Sequence, residues 1–201
     1  MQLLIATTNP GKIREFRELL GQDRFDWRDL SQSKLPDVDE TGLTFRSNAC
    51  LKATAYALAA NAWALADDSG LEVDALKGSP GVFSARWAKM HNAGAGDADN
   101  NAILLQQLAK TPDEQRTARF VCVLALSDPQ GRIVLTVRDT VEGSMLHAPR
   151  GANGFGYDPL FKVAGKNHTT AELSSDEKHA ISHRGKALRR LRTLMDSIRF
   201  E

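Results

Sequence analysis

Two long β-prone segments near the middle of the chain constrain its fold more than any other feature. TARFVCVLALSD (117–128) and IVLTVRDTVEG (133–143) are rich in Val, Leu, Thr and Phe, and the turn sequence PQGR separates them. Apolar segments joined by such a short turn predict an antiparallel hairpin. A fold for this chain must therefore include a sheet with long strands.

The beginning of the chain adds a strand followed by a helix. The apolar run 3–6 stops at TTNPGK (7–12), after which apolar residues recur at helical spacing from Ile13 to Leu20. Together with the hairpin, this unit predicts an α/β fold with an elongated mixed sheet flanked by helices. We expect the 201 residues to form a single domain, 1–201.

Three further segments have clear local patterns. Thr44 is a candidate N-cap for a helix with an apolar face through Ala60, and DADNNAILLQQLAK (97–110) predicts a helix capped by Asp97 or Asp99. A final helix is expected from about Gly185. AWALADDSG (62–70) predicts a short strand that ends in two aspartates, and LEVDAL (71–76) predicts another.

Composition and charge exclude several classes of function. The chain has 26 basic and 25 acidic residues, so its net charge of +1 gives no global attraction to nucleic acid or anionic membranes. Cys50 and Cys122 lie far apart in apolar segments, which indicates neither a metal knuckle nor a redox pair. Without a long apolar segment, we expect a cytoplasmic protein with no membrane or nucleic-acid partner.

The TTNPGK segment is a candidate phosphate site. A corner that opens a helix exposes backbone N–H groups at the positive end of the helix dipole, and hydroxyl, amide and ammonium groups there suit phosphate oxygens. The Walker pattern is missing, so a P-loop kinase or ATPase is disfavoured. The alternative is a capped turn, with Asn9 as N-cap and Pro10 in the first helical position.

Acidic residues form a candidate metal site. Asp67 and Asp68 follow an apolar run, and Glu40 lies in DETG; two or three such oxygens are what Mg²⁺ takes from a protein that also binds phosphate. Adjacent strand residues point to opposite faces, and we favour Asp68 as the ligand. The alternative is an Asx-type turn with solvated acids.

Two later segments are candidates for binding a base. GANGFGYDP places Phe155 and Tyr157 among glycines, where a ring can stack on a flat ligand; the alternative is an Ω-like surface loop. EKHAISHRGKA places Lys178, His183 and Arg184 before the last helix, where His and Arg donors suit the oxygen of a 6-oxopurine. The alternative is a solvated helix start.

These segments together resemble one family, the Ham1-like inosine triphosphate pyrophosphatases, whose bacterial members hydrolyse dITP, ITP and XTP. The motifs are TTNPGK, DETGLTF followed by NA and KA, ADDSGLEVDAL followed by SPGVFSAR, GFGYDPLF, and EK followed by SHRGKAL, in the order of the family. The resemblance implies a two-lobed α/β fold with a central nucleotide cleft, a homodimer, and Mg²⁺-dependent hydrolysis of these triphosphates to the monophosphate and pyrophosphate.

The resemblance also implies roles for individual residues. Asp68 would be the catalytic proton acceptor, and Glu40 and Asp68 would hold the metal. The residues that would bind the substrate are Thr7, Thr8, Asn9, Pro10, Gly11, Lys12, Lys52, Ser69, Phe155, Gly156, Tyr157, Asp158, Lys178, His183 and Arg184. Many relatives carry glutamate where this chain has Ser47; since Ser47 lies at the capping-box position after Thr44, we expect a weaker helix start there.

Two other hypotheses remain open from the residues alone. One is a Maf-like nucleotide pyrophosphatase with another base preference. The other is a nucleotide-sensing module that binds the same ligand without turnover. Release of pyrophosphate from dITP would distinguish the three.

Overall fold

The fold is built on a six-stranded sheet in the order β2-β1-β3-β4-β5-β6. The computed structural model describes residues 2–20, 25–32 and 35–200. The strands are β1 (Gln2–Ile5), β2 (Asp26–Asp29), β3 (Trp63–Val73), β4 (Thr117–Ser127), β5 (Ile133–Met145) and β6 (Phe161–Val163). Within the described ranges the α-helices are α1 (Pro10–Leu20), α2 (Phe45–Ala60), α3 (Trp87–Met90), α4 (Asp97–Gln107), α5 (Ser175–Ile181) and α6 (His183–Met195).

The sheet is mixed, as the sequence predicts. Strand β1 pairs in parallel with both β2 and β3, whereas β5 and β6 pair antiparallel. Strands β4 and β5 are neighbours, and the tight turn between them is closed by the Asp128 N–H donating to the Arg132 carbonyl at 3.0 Å. Such a short connection makes the pair a hairpin, so the predicted α/β fold class is confirmed.

The prediction that two short strands flank Asp67 and Asp68 is wrong. Strand β3 runs without interruption from Trp63 to Val73, and both aspartates are buried inside it. In the sequence, two charged residues directly after an apolar run indicate the end of a strand. They are tolerated here because cations from other elements bind them, as described below.

The helix predictions are confirmed for α2 but wrong at the start of α4. Thr44 caps α2 through the Ser47 N–H at 3.1 Å, and Ser47 completes the capping box with the Thr44 N–H. The N-cap residue of helix α4 is Gly96, which has no side chain to cap the helix. The Asp97 carboxylate instead accepts from the Gly156 N–H.

The chain divides into two compact units, each with its own core. The first unit comprises Met1–Asp68, Cys122–Asp139 and Arg184–Glu201, and the second comprises Ser69–Val121 and Thr140–His183. The prediction of one two-lobed domain with a nucleotide cleft stays a prediction. None of the helices in the described part of the chain combines the length and apolar character that crossing a bilayer requires.

Each core packs helices against its part of the sheet. In the first unit the buried cluster is Leu3, Ile5, Phe16, Leu20, Phe25, Trp63, Leu65, Cys122, Leu124, Leu126, Val137, Ala187, Leu188, Leu191 and Met195. In the second unit it is Leu71, Val73, Leu104, Leu108, Ala118, Phe120, Val141, Met145, Tyr157, Leu160, Phe161 and Val163. Helix α6 thus closes the first core, and α4 contributes to the second.

The first unit also buries charges beside its apolar core. Arg184, at the start of α6, is 2% exposed; its Nη1 donates to Glu15 Oε2 at 2.5 Å and its Nε donates to Asp67 Oδ2 at 3.2 Å. Burial lowers the pKa of Arg184, but Asp67 and Glu15 outweigh that effect and raise it. The guanidinium therefore stays charged and neutralises two buried carboxylates.

The buried ion pairs predict a large effect of Arg184→Met on stability. Methionine fills a similar volume but leaves Glu15 and Asp67 without this cation, so the free energy of unfolding should fall by about 3–5 kcal/mol. Urea denaturation measures the change. As a matched control, Arg190→Met at an exposed position of α6 should change it by less than about 0.5 kcal/mol. Equal losses of stability in the two variants would contradict the conclusion that Arg184 neutralises buried carboxylates.

Candidate functional site

The corner between β1 and α1 has the geometry of a capped helix start. Asn9 Oδ1 accepts from the Lys12 N–H at 3.1 Å, and Thr7 Oγ1 accepts from the Asn9 N–H at 3.2 Å. The capped-turn interpretation is therefore confirmed, with Pro10 as the first helical residue. Thr8, Asn9 and Pro10 are exposed, so the same corner offers the positive end of the α1 dipole to an anion.

Lys12 is the cation of this corner, and a buried carboxylate holds it. Its ammonium forms an ion pair with Asp67 Oδ1, and the Lys12 side chain is only 14% exposed. Asp67 itself is fully enclosed, with Arg184 on its second oxygen and the Cys122 thiol donating to that oxygen at 3.1 Å. The position of the Lys12 ammonium is thus fixed from the interior of the first unit.

The pKa of Asp67 reflects these contacts. Burial alone raises the pKa, but the charges of Arg184 and Lys12 outweigh burial and hold the pKa well below its usual value. Burial, together with the neighbouring Asp67 charge, raises the pKa of the Cys122 thiol well above its usual value. Asp67 is therefore an anion and Cys122 a neutral donor to it.

A second cation, Lys52 of α2, lies among the acids predicted to hold a metal. Its Nζ donates to Glu40 Oε1 at 2.5 Å and to the Asp67 backbone carbonyl at 2.7 Å, and it lies 3.8 Å from Asp68 Oδ1. Because one ammonium reaches both Glu40 and Asp68, these two carboxylates flank a single position. The structure thus brings three of the predicted residues together.

Asp68 has a different environment from its neighbour Asp67. Burial raises its pKa to about 6, although Lys52 and Lys12 act in the opposite direction. Among the described residues, no group donates a hydrogen bond to its buried Oδ2. A buried carboxylate oxygen without a donor is costly, and its presence points to a ligand that binds there.

The carboxylates of Glu40 and Asp68 are suited to bind a Mg²⁺ ion that is also coordinated by phosphate oxygens. Glu40 and Asp68 supply hard oxygen donors, and the buried Asp68 Oδ2 is available to a cation. In the described part of the chain, no group of three or more His, Cys, Asp or Glu side chains could hold a metal by itself. Two protein carboxylates are in keeping with Mg²⁺, which retains waters and takes substrate phosphates.

In the second unit, Asp158 anchors the glycine-rich loop. Its carboxylate accepts from the Phe155 N–H at 2.9 Å, from Thr170 Oγ1 at 2.8 Å and from Lys178 Nζ at 2.7 Å. The Lys178 ammonium also lies 4.8 Å from the centre of the Phe155 ring. The structure therefore brings together Phe155, Asp158 and Lys178, and the Asp158 oxygens are occupied by protein donors.

Three further predicted residues of this unit lie in a turn (Tyr157), at the start of α6 (His183) and in β3 (Ser69). The Tyr157 hydroxyl donates to the Ser84 carbonyl at 2.9 Å, and the buried His183 ring stacks on Phe120 with centroids 5.0 Å apart. Burial raises the pKa of Tyr157, so the hydroxyl stays a donor. Ser69 is part of β3, next to Asp68.

Sequence reasoning missed several residues that shape these sites. It proposed Arg184 as a reader of the base, whereas the structure shows its guanidinium bound to buried carboxylates; base reading by Arg184 stays a prediction. It assigned nothing to Glu15 or Cys122, because an acid within an apolar helix face and a cysteine within an apolar strand carry no local signal of their partners. The roles assigned to the individual site residues also stay predictions.

Comparison with known proteins gives relatives that match nearly the whole chain. The dITP/XTP pyrophosphatase of Exiguobacterium sibiricum is 50% identical over 192 residues, which cover 95% of each protein. The enzyme of the same name from Bacillus subtilis is 47% identical over 197 residues, 98% of each.

Solved structures and a family model agree with these relatives. A HAM1 protein from Coxiella burnetii is 40% identical and superposes with a TM-score of 0.88 over 98% of this chain and all of that one. The Ham1 protein of Staphylococcus aureus has a TM-score of 0.85 at 40% identity, over 98% of each chain. The model of the Ham1 family matches residues 3–194. The chain therefore belongs to the Ham1 family.

Proposed function

We propose that the chain hydrolyses non-canonical purine nucleoside triphosphates (dITP, ITP, XTP and dXTP) between the α and β phosphates, giving the monophosphate and pyrophosphate. The observation that carries the proposal is the environment of Asp68, a buried carboxylate close to the Lys52 ammonium, with one oxygen that has no partner among the described residues. Relatives named dITP/XTP pyrophosphatase over nearly the full chain support it. The activity would remove deaminated purines from the nucleotide pool.

The first unit supplies groups suited to the phosphates. The exposed corner 7–12 offers hydroxyl, amide and helix N-terminal groups, and the ammonium of Lys12 adds a charge fixed by Asp67. Lys52 provides a second ammonium, 3.8 Å from Asp68 Oδ1. In this proposal the two cations hold the triphosphate, and Asp68 accepts the proton of the attacking water.

Mg²⁺ would be held by Glu40 and Asp68. Once bound, it supplies positive charge that stabilises the phosphate oxygens as negative charge develops on them. The Lys52 ammonium lies between the same two carboxylates. We therefore propose that Lys52 shifts toward phosphate when the metal and the nucleotide bind.

The second unit supplies groups suited to a base. We propose that Phe155, Gly156, Tyr157 and Asp158 form the surface that holds it, with Lys178 and His183 beside them. The Phe155 ring, which is partly exposed next to the Lys178 ammonium, offers a face for stacking. Donors toward the 6-position would favour oxo over amino purines, because buried donors left unpaired are costly.

Three remaining roles are also proposals. We propose that Ser69 contacts the nucleotide and that Arg184 contributes to base selection. We further propose that the protein acts in the cytoplasm as a homodimer. The near-zero net charge, +1 over the chain, is in keeping with a small-molecule substrate in place of nucleic acid.

A substrate panel tests the reaction. With Mg²⁺, dITP, ITP and XTP should each yield pyrophosphate and the monophosphate at least about tenfold faster than ATP, because a 6-amino group leaves base-site donors unpaired. Quantifying pyrophosphate and orthophosphate separately provides the readout, and EDTA should abolish the release of pyrophosphate. Orthophosphate as the main product, or binding without turnover, would refute the proposal; a faster reaction with another base would favour a Maf-like enzyme.

Asp68→Asn tests the proposed proton acceptor. The amide keeps the shape but cannot take up a proton, so kcat for ITP should fall by about 10²- to 10⁴-fold. The Tm measured in EDTA should equal or exceed that of the unchanged chain, because the substitution removes a buried charge to whose Oδ2 no described residue donates. Full activity of the folded variant would exclude the assigned role.

A further inference from the structure

The first turn of α4 carries polar side chains for which the proposed reaction gives no role. Asn100 is buried; its Oδ1 accepts from the Ala88 N–H at 2.8 Å and its Nδ2 donates to the Ala85 carbonyl at 3.2 Å. These contacts tie α4 to α3 and to the segment just before it. Asp97 and Asn101, one helical turn apart, make contacts with a different segment.

Both Asp97 and Asn101 bind the backbone of Gly156. The Asp97 Oδ2 accepts from the Gly156 N–H at 2.6 Å, and the Asn101 Nδ2 donates to the Gly156 carbonyl at 2.9 Å. The first of these is short and charge-assisted, which places it among the stronger hydrogen bonds. Two side chains of one helix thus satisfy both polar backbone groups of a single loop residue.

Gly156 needs such support because of its conformation and its neighbours. Its φ of +63° lies in the left-handed region that favours glycine. On one side, the Phe155 N–H is held by Asp158. On the other side, the Tyr157 hydroxyl is held by the Ser84 carbonyl. Helix α4 therefore fixes the middle of a loop whose flanking residues are fixed by other contacts.

The orientation of the Asn101 amide is a second observation. The Gly156 carbonyl requires a donor, so the Nδ2 must face it. This leaves the Asn101 Oδ1 buried, and among the described residues no group donates to it. Buried polar atoms normally have a hydrogen-bond partner, but here the amide oxygen gives one up so that the nitrogen can bind the loop. Such exceptions are typical of residues that serve function.

We propose that Asp97 and Asn101 are positioning residues for base recognition, which hold Gly156 so that the loop 155–158 keeps the shape that receives the purine. The inference rests on the proposed function, in which this loop contacts the base. It assigns α4 a role in substrate affinity without contact to the phosphates. Loss of either side chain should weaken binding of the base and leave binding of the phosphate chain unchanged.

The test compares Asp97→Ala and Asn101→Ala with Asp99→Ala. Asp99 is a matched control, since it lies in the same turn but accepts from the Ala95 N–H at 2.8 Å. Each of the first two variants should raise KM for ITP about five- to tenfold, as expected for a lost hydrogen bond, with kcat changed less than about threefold. Asp97→Asn keeps an acceptor oxygen and should restore most of the affinity.

Inorganic tripolyphosphate, which has no base, separates positioning from a general structural role. Its inhibition constant should be the same for all variants and for the unchanged chain. If KM for ITP and tripolyphosphate inhibition worsen together, or if the Asp97 and Asn101 variants match Asp99→Ala, the positioning role is refuted. Melting curves confirm that each variant is folded.

Direct binding of inosine monophosphate distinguishes failure of this inference from failure of the proposed function. If the unchanged chain binds the monophosphate but releases no pyrophosphate from ITP, the proposed reaction fails and the monophosphate affinities of the variants still decide the positioning role. If ITP is hydrolysed and the variants bind the monophosphate as tightly as the unchanged chain, the positioning role alone fails. If the unchanged chain neither binds the monophosphate nor releases pyrophosphate from ITP, both fail; if it hydrolyses ITP without measurable monophosphate binding, the KM values for ITP decide the positioning role.

Discussion

The enclosure of Asp67 by two cations is the interaction on which the site in the first unit depends. A carboxylate buried this deeply would be too costly without partners, and Arg184 and Lys12 supply the compensating charge. The same contacts hold the Lys12 ammonium at the corner before α1, where it can meet an anion. The fold and the candidate phosphate site therefore share one ion network, so a change that weakens the core would also displace the cation of the site.

Two adjacent residues of β3 show how environment separates chemically identical groups. Asp67 has a pKa held well below its usual value, whereas burial raises that of Asp68 to about 6. Pairs of carboxylates with pKa values driven apart are typical of catalytic sites, because one group must stay charged while the other exchanges protons. In the structure the stable anion organises the cations, and its neighbour keeps an oxygen to which nothing in the described part of the chain donates.

Local patterns in the sequence were sufficient for part of the fold and part of the site. The hairpin, the capped helix at Thr44 and the corner before α1 depend on periodicity and capping within a few residues, and all were predicted. The continuity of β3 through Asp67 and Asp68 could not be predicted in this way, because the cations that stabilise the two buried aspartates come from α1, α2 and α6. The same limit applies to Asp97: its position predicted a helix cap, but its partner is Gly156, far away in the sequence.

The uninterrupted course of β3 makes its length as important as its composition. Side chains alternate between the two faces of a strand, so Asp67 and Asp68 point in opposite directions, and pairing with β1 at Leu3 and Trp63 fixes the register. Insertion or deletion of one residue between Trp63 and Asp67 would exchange the two faces. Asp67 would then lie on the face that Asp68 now occupies, and Asp68 on the face of Asp67. Both carboxylates would lose their present partners and surroundings. Volume-conserving exchanges among the apolar residues of this strand should therefore cost far less than a change in their number.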